Sequence, residues 1–226
     1  ETLSGLLEGL SDVWAVNYNS PQQTVVAGSN TGMDVFLEKA AAAKVRSSEL
    51  NVACAFHSPL LKDAESGFRA VLGNYQFSSP KLTVMSNTDA KVYPNTDTAI
   101  KERLAEHLVS PVRFTDEVEN MHRDGVSVFI EAGPGRVLTA LVAEILKGQD
   151  IAVIQTERAG VNGLTYILQA LAKYVATGRK IRATELFRSR GAVALDINIL
   201  EGNFKADCHP LFFNSSATNE QTVSKD

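Results

Sequence analysis

The stretch VSVFIEAGPGRVLTALVAEILKGQDIAVIQ (126–155) decides the fold, because it strings a strand, a helix and a second strand together with little between them. Residues 126–133 are β-branched and aromatic enough for a buried strand, and PGR makes a tight loop. Residues 137–148 then place apolar side chains at helical spacing up to Gly148, a helix-closing glycine. IAVIQ (151–155) reads as a short strand. Two strands joined through a helix pair in parallel, which predicts an α/β architecture with a largely parallel sheet.

The same alternation runs outward in both directions. Toward the C-terminus, LTYILQALAKYVATG (164–178) repeats the helical spacing and again stops at a glycine. Toward the N-terminus, helices are expected over 116–123 and 97–109, and KLTVMSN (81–87) is expected as a strand. NVACAFHSPLLKD (51–63) reads as the end of a strand, with Leu50, Val52, Cys54 and Phe56 alternating. A helix follows it, capped by Ser58, started by Pro59 and carrying Leu60, Leu61, Ala64, Phe68, Val71 and Leu72 on one face. The helix from Met33 and the strands 13–19 and 23–28, joined by SPQ, form a small α+β unit at the front of the chain.

Composition narrows the function classes. A 44% apolar content over 226 residues can fill a core, and a formal charge of −4 with scattered basic residues gives no footprint for nucleic acid. The longest apolar stretch, 137–146, is too short for a membrane span and contains Glu144. Two cysteines, Cys54 in the expected strand and Cys208 in a polar tail, make neither a disulfide framework nor a metal spacing. A reducing, cytoplasmic setting is expected, with no bound cofactor and no metal.

His57 is the strongest candidate for chemistry, since it stands where a strand ends and a helix starts, the place where α/β sheets bind ligands. A neutral imidazole there suits a general base; a histidine packed in the core with its hydrogen bond satisfied is the competing reading. No G-x-S-x-G elbow occurs in the chain, and Ser29 in AGSNTG (27–32) is out of register and reads as a turn residue. Ser58 reads as a cap and Cys54 as a packed, inert thiol; an unrelated hydrolase built on either is the weakest alternative. The glycine turn of EAGPGRVLTAL (131–141) lacks a Walker lysine and a third glycine, so a structural turn outweighs a phosphate loop. His107 lies on the apolar stripe of its helix with Ile100, Leu104 and Leu108, as a satisfied core histidine would. His122 and His209 stand apart, so the four histidines make no metal site.

Five ordered motifs carry a resemblance: VNYNSPQQTVVAG (16–28), CAFHSPLL (54–61), HLVSPVRF (107–114), FIEAGPGRVLTALV (129–142) and LQALAKYVATGRKI (168–181). Together they are similar to the acyltransferase domains of polyketide and fatty-acid synthases, the malonyl-CoA:acyl-carrier-protein transacylase family, over residues 13–186. The resemblance implies part of an α/β-hydrolase-like core with a ferredoxin-like small subdomain. It divides the chain into the small subdomain at 1–56, the returning core at 57–160, a following helix and linker at 161–202, and a loose tail at 203–226. It also implies that His57 is the base of a Ser-His dyad, that a main-chain carbonyl at His107 orients its ring, and that Asn17, Asn19 and Gln23 line the acyl and pantetheine channel. Phe56 before the histidine resembles the malonyl-selecting pattern, its ring filling the space of an α-methyl group.

Two departures qualify the pattern: His107 stands where the family usually has glutamine, and Cys54 where malonyl-type polyketide enzymes often show histidine. The GHSxG serine, the oxyanion-hole glutamine and the malonyl-pairing arginine of the family are expected upstream of Glu1. The implied substrate is malonyl-CoA and the implied acceptor the phosphopantetheine of an acyl carrier protein. Adjacent synthase domains or the missing N-terminal acyltransferase half are the further partners. The alternative function is a non-catalytic acyltransferase-like module that docks a carrier or a neighbouring domain.

Overall fold

A computed structural model of the chain describes residues 2–52 and 54–188. The chain divides into two units, Glu1–Lys180 and Ile181–Asp226. In the second, the described part is a short 3-10 turn, Ala183–Phe187, with an ion pair between Arg188 and Glu185 at 2.6 Å. The polar tail and Cys208 lie outside the described residues.

The first unit opens with helix α1 (Thr2–Leu7), strands β1 (Val13–Ser20) and β2 (Gln23–Gly28), and helix α2 (Asn30–Ala42). β1 and β2 pair antiparallel as the expected hairpin, with register shifts after Ala15 and after Tyr18. The first shift turns two successive residues, Ala15 and Val16, inward, as a bulge does. The open side of β1 is met by residue 112: Tyr18 N donates to Val112 O (2.9 Å) and Val112 N to Val16 O (2.8 Å). Leu6, Val13, Phe36 and Ala40 form a core between α1, β1 and α2. That packing leaves no room for a side chain at residue 28, since a Cβ there would stand 2.9 Å from Val13 Cα. α2 begins three residues before Met33 because Ser29 caps it, accepting from Gly32 N at 3.0 Å. The turn-residue reading of Ser29 therefore takes a definite form, a helix cap whose hydroxyl donates to Asp12.

Residues 50–56 correct the expectation of a strand. Their internal hydrogen bonds are local, Val52 N to Leu50 O (2.9 Å) and Phe56 N to Cys54 O (3.0 Å), and Leu50, Val52 and Phe56 are exposed. Alternating side chains describe a face, but a strand exists only where a neighbour takes its amides and carbonyls, and no described strand does so here. For the same reason Cys54 is exposed rather than packed.

A 3-10 turn at Pro59–Leu61 leads into α3 (Lys62–Gly73). Of the expected apolar face of α3 only Leu72 is buried, while Leu60, Phe68 and Val71 are exposed. Glu65 is buried in their place, paired with Lys62 (2.5 Å) and Arg69 (2.7 Å), and Arg69 also pairs with Glu102. The Arg69–Glu102 pair thus joins α3 to the helix over residues 97–107. Short strands β3 (Met85–Ser86) and β4 (Lys91–Val92) form an antiparallel ladder, far less than the expected strand over 81–87.

α4 (Asp97–His107) and α5 (Phe114–Arg123) follow, then β5 (Val128–Glu131), α6 (Val137–Ile145), β6 (Ala152–Gln155) and α7 (Gly163–Ala176). β5 and β6 pair in parallel across α6, as the strand-helix-strand reading of 126–155 requires. Val118, Val142 and Leu146 fill the core between this unit and α5. The described strands form three two-stranded ladders: the expected hairpin, the β3–β4 ladder and the parallel β5–β6 pair, which is all of the expected largely parallel sheet that the described residues contain. Among the described residues no helix is long and apolar enough to cross a membrane.

Candidate active site

His57 occupies a turn, not a strand end, and its backbone has φ +61°, the left-handed region that few non-glycine residues adopt. Ser58 holds this turn from below. Its side chain is fully buried, and its hydroxyl donates to Ala55 O at 2.6 Å instead of capping the helix. That geometry corrects the cap reading and removes Ser58 as a nucleophile, because the hydroxyl is inaccessible and its proton engaged.

The imidazole of His57 meets the C-terminus of α4. His107 is the last residue of that helix, so its carbonyl belongs to the final turn, which has no intrahelical donors. His57 Nδ1 donates to this carbonyl at 2.9 Å. A carbonyl only accepts, so the proton of the neutral ring sits on Nδ1, and Nε2 is left with its lone pair. The two imidazoles also lie face to face, with centroids 5.0 Å apart and planes inclined by 29°.

His107 is not the satisfied core histidine its stripe suggested, since its Nε2 is buried without a partner among the described residues. Burial, and then the nearby charge of His57, hold its imidazole below the usual histidine range. The buried Glu117 on α5 likewise has one carboxylate oxygen without a partner among the described residues, and burial pushes its carboxyl up. No sequence signal marks Glu117, which sits beside Val118 in a helix whose charged residues otherwise face outward.

The remaining candidates lie elsewhere. Asn17 sits on β1 where that strand bridges to Val112, and Asn19 Nδ2 donates to Gln23 Oε1 (3.2 Å) across the hairpin. None of the three hydrogen-bonds to His57 among the described residues. Phe56, next to the imidazole in sequence, is 47% exposed. His122 Nδ1 donates to Val126 O (3.1 Å), and no cluster of potential metal ligands occurs among the described residues. The glycine turn after β5 offers no free helix N-terminus for a phosphate. Leu138 N (3.1 Å), Thr139 N (2.8 Å) and the Thr139 hydroxyl (2.8 Å) already donate to the Glu131 carboxylate.

Comparison with known proteins adds the chemical context. The family described as acyl transferase domain matches residues 6–181. A malonyl CoA-acyl carrier protein transacylase from Haemophilus influenzae is 40% identical over 136 residues, covering 59% of this chain and 43% of that protein. A malonyl CoA-acyl carrier protein transacylase from Bacillus subtilis is 39% identical over 136 residues, covering 59% of this chain and 42% of that protein. Among solved structures, the acyltransferase domain from the second module of the salinomycin polyketide synthase superposes with a TM-score of 0.76 at 26% identity, covering 88% of this chain and 47% of that one. A malonyl-transacylase in complex with a type II polyketide acyl-carrier protein gives 0.66 at 31% identity, covering 76% and 53%. The chain thus spans about half or less of the length of the relatives it matches.

Proposed function

Because the chain belongs to the acyl transferase domain family, we propose that it forms the histidine-bearing part of a malonyl-CoA:acyl-carrier-protein transacylase in which His57 is the general base. The observation that carries this reading is the bond from His57 Nδ1 to His107 O, which leaves Nε2 as the proton acceptor. In the proposed cycle Nε2 takes the proton of a serine hydroxyl, and the serine oxygen attacks the malonyl thioester carbonyl. The tetrahedral intermediate collapses, and the coenzyme A thiolate leaves with the proton that the imidazolium returns. The phosphopantetheine thiol of the carrier then gives its proton to Nε2 and attacks the acyl-serine; the serine oxygen recovers that proton as it leaves.

The reading puts the serine outside this chain, in a G-H-S-x-G elbow supplied by polypeptide upstream of Glu1. It assigns Asn17, Asn19 and Gln23 to the acyl and pantetheine channel and Phe56 to the exclusion of an α-methyl substituent. It takes residues 1–56 as a ferredoxin-like subdomain, 57–160 as the returning α/β-hydrolase-like core and 161–202 as the segment leading to further synthase domains. The carrier protein is the partner in this reading, and a cytoplasmic setting follows from soluble thioester substrates. The exposed Leu50, Val52, Leu60, Phe68, Val71 and Leu82 are assigned to contact with the rest of the acyltransferase.

The test is labelling. A polypeptide extended upstream through the serine elbow is expected to take a malonyl label from malonyl-CoA, and the present chain is not. Labelling of this chain alone would place the nucleophile within its own residues and overturn the assignment.

A further inference from the structure

We propose that the imidazole of His107 is a positioning residue for His57, clamping the face of its ring while the carbonyl of the same residue holds its Nδ1–H. Three observations carry this. The ring planes are 29° apart with centroids at 5.0 Å, within the range of offset aromatic pairs. The carbonyl bond at 2.9 Å fixes one atom of the His57 ring but leaves rotation about that bond open, and the stacked face closes it. Among the described residues the Nε2 of His107 is buried with no partner, so no hydrogen bond at that nitrogen explains the placement of the ring. It acts as a flat surface.

Its electrostatics are compatible with that role. Burial and then the charge of His57 hold the His107 imidazole below the usual histidine range, which disfavours a second charge beside an imidazole that takes up a proton. A residue whose carbonyl orients the base would serve with any side chain; here the side chain supplies a second constraint. The inference deepens the reading of His57 as the base and takes its catalytic meaning from it, whereas the ring geometry is measurable without any transfer reaction.

Histidine-selective 15N NMR on the full chain tests it. The wild type is expected to show the Nδ1–H tautomer for His57 and a cross-relaxation contact between the two rings. His107→Phe, which keeps a flat face and removes the unpartnered nitrogen, should preserve that tautomer and fold at least as stably. His107→Ala keeps the carbonyl, and with it the tautomer, but should let the His57 ring turn about that bond, so that its ring order from 15N relaxation falls below that of the wild type and of His107→Phe. In the longer polypeptide with the serine elbow, the alanine variant should lose roughly 10- to 100-fold in kcat with little change in KM, and phenylalanine should restore it. A His57 ring as ordered in His107→Ala as in the wild type would overturn the proposal. So would a His57 ring that is mobile in a folded His107→Phe chain, which remains decisive if the alanine variant fails to fold. Failure of transfer with the ring order as expected would count against His57 as the base and leave the clamp intact.

Discussion

Glu131, the last residue of β5, caps the helix that follows it by accepting the Thr139 amide at 2.8 Å and the Thr139 hydroxyl at 2.8 Å. The carboxylate occupies the N-terminus of α6, where a phosphate would otherwise sit, and so gives the glycine turn a structural purpose. Burial alone would raise the carboxyl, but the hydrogen bonds from Thr139, Leu138 and Val137 outweigh it and hold the group below the usual glutamate range.

Replacing that cap should therefore cost stability. Glu131→Ala is expected to lower unfolding free energy by about 1 kcal/mol, as loss of a capping side chain does. Because the folded carboxyl is depressed, its contribution is complete above the ordinary glutamate value and is lost as pH falls through the folded one. Urea midpoints of wild type and variant should differ at neutral pH and converge in acid.

Glu117 predicts the opposite slope. Burial raises its carboxyl, so folding favours the protonated form; the stability it contributes is full below the ordinary glutamate value and is lost as pH rises through the folded one. Glu117→Gln should match the wild type in acid and exceed it at neutral pH, by on the order of 1 kcal/mol. Thermal unfolding across that pH range measures the gap, and a gap that stays constant would contradict the burial argument.

The uncovered apolar side chains predict a surface that binds hydrophobic dyes. Leu82 is 81% exposed and Val52 62% exposed, alongside Phe68 and Val71 on α3. The chain alone should enhance ANS fluorescence, and the polypeptide extended upstream should do so several-fold less per molecule. Equal fluorescence would mean that the added residues do not cover these faces.

What sequence made legible follows the range of the interactions. The β5–α6–β6 unit was readable because strand, turn and helix signals all lie within 126–155 and the pairing is between near neighbours. The family was readable from five ordered motifs. Residues 50–56 misled because alternation in Leu50, Val52, Cys54 and Phe56 says nothing of whether a neighbouring strand exists. The apolar face of α3 misled similarly, since the helix turns Glu65 inward to a pair of cations and leaves Phe68 outside. In the site, His57 and the carbonyl of His107 were named from pattern, but the stacked rings were not. They depend on a left-handed backbone at His57 and on where α4 stops, and neither has a local signature.

The central claim is that His57 Nε2 removes the serine proton. The direct measurement is the rate of malonyl transfer from malonyl-CoA to a holo-carrier protein by the upstream-extended polypeptide, with and without His57→Asn, a substitution that tolerates the left-handed backbone at this position. Loss of a general base predicts a fall of about 100- to 10,000-fold. A transfer rate equal to that of the wild type would contradict it.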